Sequence, residues 1–372
     1  MRRGGWRQAV GLLGVAMAWL MMLAACGPTS GRAVPPPPAG AQPAAGASAG
    51  GGGAGAGGAG TTAVGTAAPE ALPIRVGYAA PSAAFLPVWI AQDAGLYAKY
   101  GLKAELLNLG PNVAAPIMAG EVDVVQAAGP SVFAANLQGG DTVWIAVTVN
   151  KPVLQLLARP EIARPEDLRG RAVGVSARGT YTDQWMTYAL RHFGLEAGRD
   201  VTVLATGGPA ESVAAATSGR VEAVIMGPPS NLRALDAGMK LLFDLTSLDV
   251  SYPAGGVAAS RKVLAEKPEL MRRFMRAYVE AIHVYRTDAA LSQQVLARYT
   301  NTESAADLEE SYRAFRDYTE DVPLPRLEAM QTALELMAAD LPQARDANPR
   351  DFYDDRLVRE LEASGFIASL GK

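Results

Sequence analysis

The chain carries one twelve-residue pattern twice. Residues 120–131 (GEVDVVQAAGPS) and 219–230 (GRVEAVIMGPPS) align without a gap. Each copy has a glycine, a short apolar run with one carboxylate (Asp123, Glu222), and a Pro-Ser pair suited to opening a helix. The echo extends upstream. Val76-Gly77 answers Val173-Gly174, Gly101-Leu102 answers Gly194-Leu195, and Gly110-Pro111 answers Gly208-Pro209. A displacement from residue 120 to residue 219 is far longer than the roughly 20–50 residues of a solenoid unit. It suits two similar α/β lobes facing one another, with a cleft between them as the place to look for function.

A length of 372 residues has room for about two domains with ample cores. Lys and Arg number 34 against 37 Asp and Glu, a net charge of −3 without a long run of one sign, which argues against a nucleic-acid partner. Two histidines, His192 and His283, and one cysteine, Cys26, do not make a metal cluster of the usual spacing, and no disulfide can form within the chain. Residues 1–26 read as a targeting segment, with Arg2, Arg3 and Arg7 ahead of an apolar stretch over 10–22. The stretch ends in Leu23-Ala24-Ala25-Cys26-Gly27, which looks like a bacterial lipobox, with Cys26 as the lipidated residue. Residues 27–71 are rich in Pro, Gly and Ala and predict a disordered tether, reaching roughly 35–40 Å as a flexible coil.

From residue 72 the apolar runs alternate between strand and helix lengths, which predicts βαβ units. Strands are expected at 74–78, 104–109, 122–126 and 143–148, with helices at 85–100, 112–118 and 131–138. A strand at 153–158 should carry the chain across to a second set, with strands at 172–175, 201–204, 223–226 and 240–243. A strand at 254–259 should rejoin the first lobe. Lobe I is thus expected at 72–157 and 251–372, and lobe II at 158–250. The helical remainder, from Pro268, reads as a cover on lobe I without chemistry of its own.

In open α/β sheets ligands bind beyond the carboxyl ends of the strands. The loops there carry the candidate site residues: Ser82, Ala83 and Phe85; Gly129, Pro130 and Ser131; and Asn150. In the second lobe they are Gly208, Gly227 and Pro228, with Tyr252 at the return crossing. Glycine and proline also make tight turns without any ligand, and Tyr252 also reads as core. The run Arg178-Gly179-Thr180-Tyr181 is more pointed. Thr180 is placed to cap a helix with Asp183 completing a capping box, and a helix N-terminus favours an anion that Arg178 would grip. A well-capped helix beside a solvated arginine is the plain alternative.

The order of features resembles the substrate-binding proteins of ABC importers of the nitrate/sulfonate/taurine type, also grouped as NMT1-like. The resemblance runs from about residue 72 to 362. It rests on residues 85–91 (FLPVWIA), 94–97 (AGLY), 101–102 (GL), 119–123 (AGEVD), 167–171 (DLRGR), 179–180 (GT) and 218–223 (SGRVEA). It implies a type II periplasmic-binding-protein-like α/β fold: two lobes, each a mainly parallel sheet flanked by helices, with a helical C-terminal cover. It implies a monomeric extracytoplasmic receptor, lipid-anchored at the cell membrane, that closes over a small molecule and docks on a transporter permease, with no cofactor, metal or catalytic residue. The site would be formed by the loops at Ser82, Gly129, Gly179 and Gly227. A small anion such as a sulfonate or nitrate is the leading ligand. A thiamine-pyrimidine-like heteroaromatic, stacked on Tyr181 and Tyr252, competes with it. Fungal pyrimidine synthases resemble the same family, but this chain shows no nucleophile-base pair at a strand edge. A ligand-sensing lipoprotein without transport is the third reading.

Overall fold

Among the described residues ten strands form, each within a few residues of its predicted place. The computed structural model describes residues 70–79, 81–110, 113–338 and 341–371. The leader, Cys26 and all but the last two residues of the tether lie outside the described residues. Strands β1 (Leu72–Tyr78), β2 (Leu102–Asn108), β3 (Val124–Ala127) and β4 (Thr142–Val149) belong to the first sheet. The second sheet holds β5 (Gln155–Ala158), β6 (Ala172–Val175), β7 (Thr202–Ala205), β8 (Ala223–Met226) and β9 (Lys240–Asp244). The chain then returns, and β10 (Gly255–Ser260) completes the first sheet.

The repeat in the sequence is a repeat in the fold. The sheet orders are β2-β1-β3-β10-β4 and β7-β6-β8-β5-β9, which superimpose strand for strand. In each, the first three strands pair in parallel and the fourth is antiparallel to both neighbours. The sheets are therefore mixed, with one reversed strand beside the edge, where sequence reading expected mainly parallel ones. The reversed strand is in both cases the first one laid down after a crossing between lobes. The strand expected to carry the chain across is thus β5, a member of the second sheet. The expected boundary at 157/158 falls inside it, and residues 150–154 make the crossing.

Burial follows from this layering. The strands β3, β4, β8 and β10 are buried along their whole length, because helices cover both faces. The predicted helix at 85–100 is broken in two, Leu86–Asp93 and Leu96–Lys99, by Gly95 at φ 69°. The long helix Pro268–Thr287 packs its apolar face, including Phe274 and Tyr278, against the helix Leu86–Asp93. The two crossings are tied to each other: Tyr252 N–H donates to Asn150 O at 3.0 Å and Ala254 N–H to Val149 O at 2.9 Å. Lys151 Nζ reaches Leu248 O at 2.5 Å.

Candidate functional site

The carboxyl-end loops of both sheets converge on one cavity of about 420 Å³. The first lobe contributes Ala79, Phe85, Ala128, Pro130, Ser131 and Ala134, and the second Ser176, Gly179, Thr180, Tyr181, Thr182 and Gln184. Met337 and Leu341 close the remaining side. Not one of these side chains is charged.

Two helix N-termini meet at this space. The helix Pro130–Leu137 begins after Gly129, has no acidic residue in its first turn and no side-chain cap. Its first N–H groups therefore lack a side-chain acceptor at the cavity wall. Gly129 sits at φ 60°, ψ −134°, a conformation open essentially to glycine alone. A Cβ there would lie 2.8 Å from Tyr181 Cδ2 and 2.9 Å from the Tyr252 hydroxyl. The backbone is bare at this point so that two tyrosines can approach it.

The second N-terminus, of Tyr181–His192, is electrostatically different. Thr180 stands at the N-cap position but makes no capping bond; its hydroxyl donates to Ala177 O at 2.7 Å. Asp183 Oδ2 instead accepts the Gly179 N–H at 2.7 Å, and Oδ1 accepts from Arg178 at 2.7 Å. Arg178 is therefore held on Asp183, and it does not line the cavity. The Asp183 carboxylate is buried and already answers the positive end of the helix dipole. Ser176, Thr180 and Thr182 form a hydroxyl cluster, with Ser176 Oγ and Thr182 Oγ1 at 2.7 Å, and largely satisfy one another.

Behind Tyr181 lies an aromatic stack. Its ring is 5.8 Å from Tyr252, which in turn meets Trp185 edge-on at 5.0 Å. Tyr252 is fully buried and its hydroxyl donates to Gln184 Oε1 at 2.7 Å. Burial pushes the hydroxyl pKa of both tyrosines well up, so both remain neutral phenols at physiological pH.

Of the residues chosen from sequence, Phe85, Pro130, Ser131, Gly179, Thr180 and Tyr181 come together around the cavity. Gly129 and Tyr252 stand directly behind them. Others do not reach it. Ser82 caps the short turn Ala83–Phe85 through Ala84 N–H, and Ala83 is buried. Asn150 is buried at the crossings, next to a separate, charged cavity lined by Lys151 and Arg286, because the chain has already left the sheet there. Gly208 caps the helix Pro209–Thr217 and packs on Glu211. Gly227 lies against Val153 O, and Pro228 lines a small cleft with Gln155 and Asn231. Sequence reasoning did not single out Ala79, Ala128, Ala134, Ser176 or Thr182, and it missed Gln184, Met337 and Leu341 altogether. The last two come from the C-terminal third, whose helix Leu327–Met337 also packs on Tyr181–His192 and so contributes to the cavity as well as covering lobe I.

Residues 82–288, more than half of the chain, match the family model described as NMT1/THI5 like. The chain belongs to the NMT1/THI5-like family. Among curated proteins, this NMT1/THI5-like chain is 26% identical over 211 residues to riboflavin-binding protein RibY of Chloroflexus aurantiacus. The match spans 54% of the chain and 59% of RibY, less than two thirds of that relative's length. Among solved structures it is similar to the periplasmic aliphatic sulphonate binding protein SsuA from Escherichia coli. The TM-score is 0.65 and the identity 22%, over 78% of this chain and 99% of that one. The periplasmic nitrate-binding protein NrtA from Synechocystis PCC 6803 gives a TM-score of 0.63 at 15% identity, over 82% and 92% of the two chains. The fold is the two-lobed α/β fold of periplasmic binding proteins.

Proposed function

We propose that the chain is an extracytoplasmic solute receptor that holds a flat, uncharged heteroaromatic molecule between its lobes and presents it to an ABC importer. The observation that carries this reading is the cavity wall: fourteen residues, none charged, with aromatic rings behind and helix N–H groups at one edge. A volume of about 420 Å³ lies in the usual range for organic ligands, roughly 300–1,000 Å³. Nitrate, little larger than a water molecule at about 30 Å³, would leave most of it empty. The likeness to RibY, whose name declares a ring-bearing ligand, points the same way.

The small-anion reading is the second one. It draws on the open N-terminus of Pro130–Leu137 and on the fold shared with SsuA. Against it stands Asp183, whose buried negative charge offsets the other helix end. The lipobox supports a further part of the proposal: Cys26 anchors a monomeric receptor to the outer face of the cell membrane, with the permease as its partner. A thermal-shift screen tests the ligand class. Riboflavin, lumichrome and pyrimidines should raise the melting temperature while alkylsulfonates, taurine and nitrate leave it unchanged; the reverse pattern overturns the reading.

A further inference from the structure

The described residues include two tyrosine–glutamine pairs, and they differ in one atom's fate. Tyr278 donates to Gln126 Oε1 at 2.8 Å, and Gln126 Nε2 then donates to Ala84 O at 3.2 Å. That amide is used at both ends and is fully buried. Tyr252 donates to Gln184 Oε1 at 2.7 Å in the same way. A buried phenol must place its hydrogen, and Tyr252 has no other acceptor among the described residues, so the bond fixes which end of the Gln184 amide is oxygen. The nitrogen end is then a donor without a partner among the described residues. Gln184 is only 8% exposed and lines the cavity, yet its Nε2 is not among the sealed, partnerless atoms. Its side chain lines the cavity, the space into which that donor can reach.

We infer that Gln184 is the specificity-determining donor of the site and that the ligand presents a hydrogen-bond acceptor, a carbonyl oxygen or ring nitrogen, to Gln184 Nε2. This rests on the heteroaromatic reading and sharpens it. Ser131 also faces the cavity, but its hydroxyl rotates to give or accept and selects nothing by itself. The Gln184 amide does select, because Tyr252 prevents its flipping. A ligand offering an N–H at that point would set donor against donor in a dry site, leaving both unpaired. Tyr252 is the positioning residue: it acts on the ligand through Gln184.

Calorimetric titration of the whole protein with riboflavin as the probe tests this. Gln184→Leu should weaken binding about ten-fold or more, the usual consequence of leaving a buried acceptor unpaired. Gln184→Glu, which still accepts from Tyr252 but turns a lone pair toward the cavity, should weaken it further. Tyr252→Phe should weaken binding by itself yet have no further effect in the Gln184→Leu background, since its influence passes through that amide. Equal losses in both backgrounds would reduce Tyr252 to packing and overturn its positioning role. Unchanged affinity in folded Gln184→Leu and Gln184→Glu would overturn the inference while leaving the receptor reading intact. A wild-type protein that binds neither riboflavin nor any other ring compound of the screen would overturn the heteroaromatic reading, and this inference with it.

Discussion

Gly129→Ala should cost stability in two separable parts. Gly129 sits at φ 60°, ψ −134°, where an alanine is strained by about 1–3 kcal/mol. The added methyl would also arrive 2.8 Å from Tyr181 Cδ2 and 2.9 Å from the Tyr252 hydroxyl, so one ring has to move. Overpacking of that kind costs typically about 1–3 kcal/mol. The sum expected is roughly 2–6 kcal/mol, read from urea unfolding followed by tryptophan fluorescence. Gly120→Ala is the control. It too has a positive φ, 71°, but nothing lies within 4 Å of its Cβ position, so only backbone strain of about 1 kcal/mol should appear. Beyond the difference in backbone strain, the excess at Gly129 comes from the closeness of the two tyrosines to the loop. Equal losses at the two glycines would refute that closeness, and with it the placing of Tyr181 and Tyr252 behind the cavity.

Three further outcomes are expected. Arg178→Ala removes the cation paired with the buried Asp183 carboxylate, so it should cost about 1–3 kcal/mol of stability and leave ring-ligand affinity unchanged; a ten-fold loss by calorimetry would argue for a charged ligand. Asp123→Asn should destabilise by about 2 kcal/mol, because the buried carboxylate accepts the Arg75 N–H and pairs with Lys267 at 2.7 Å. Its counterpart Glu222→Gln should cost under about 1 kcal/mol, as its arginines stand 3.8 Å away, and comparable losses would contradict this asymmetry. Cys26→Ser should release the protein from membranes into the soluble fraction, and continued retention would sink the lipid anchor.

Much of the architecture was legible because strand and helix lengths alternate between glycine stops, and because the repeated segment reports its own structure twice. Residues 120–131 and 219–230 each fold as turn, strand and helix start, with Gly120 and Gly219 both at positive φ. Strand direction was less legible. β5 and β10 read as ordinary apolar strands, and nothing local records that each inserts in reverse beside an edge. The loop at 178–183 has the residues of an anion grip, but Asp183 plays a different part from a capping-box acid by holding Arg178 and the Gly179 N–H. Gln184 lies in the first turn of a helix, where its role depends on a tyrosine 68 residues away. Met337 and Leu341 reach the cavity only through tertiary packing, which local periodicity does not encode.

The most direct test of an uncharged, ring-accepting cleft is a pair of titrations on the same protein, one with riboflavin and one with ethanesulfonate, monitored by calorimetry. Saturable one-to-one binding of the flavin, little altered between low and high salt, with no heat from the sulfonate, is the predicted result. Salt-sensitive binding of the sulfonate with the flavin inert would contradict it.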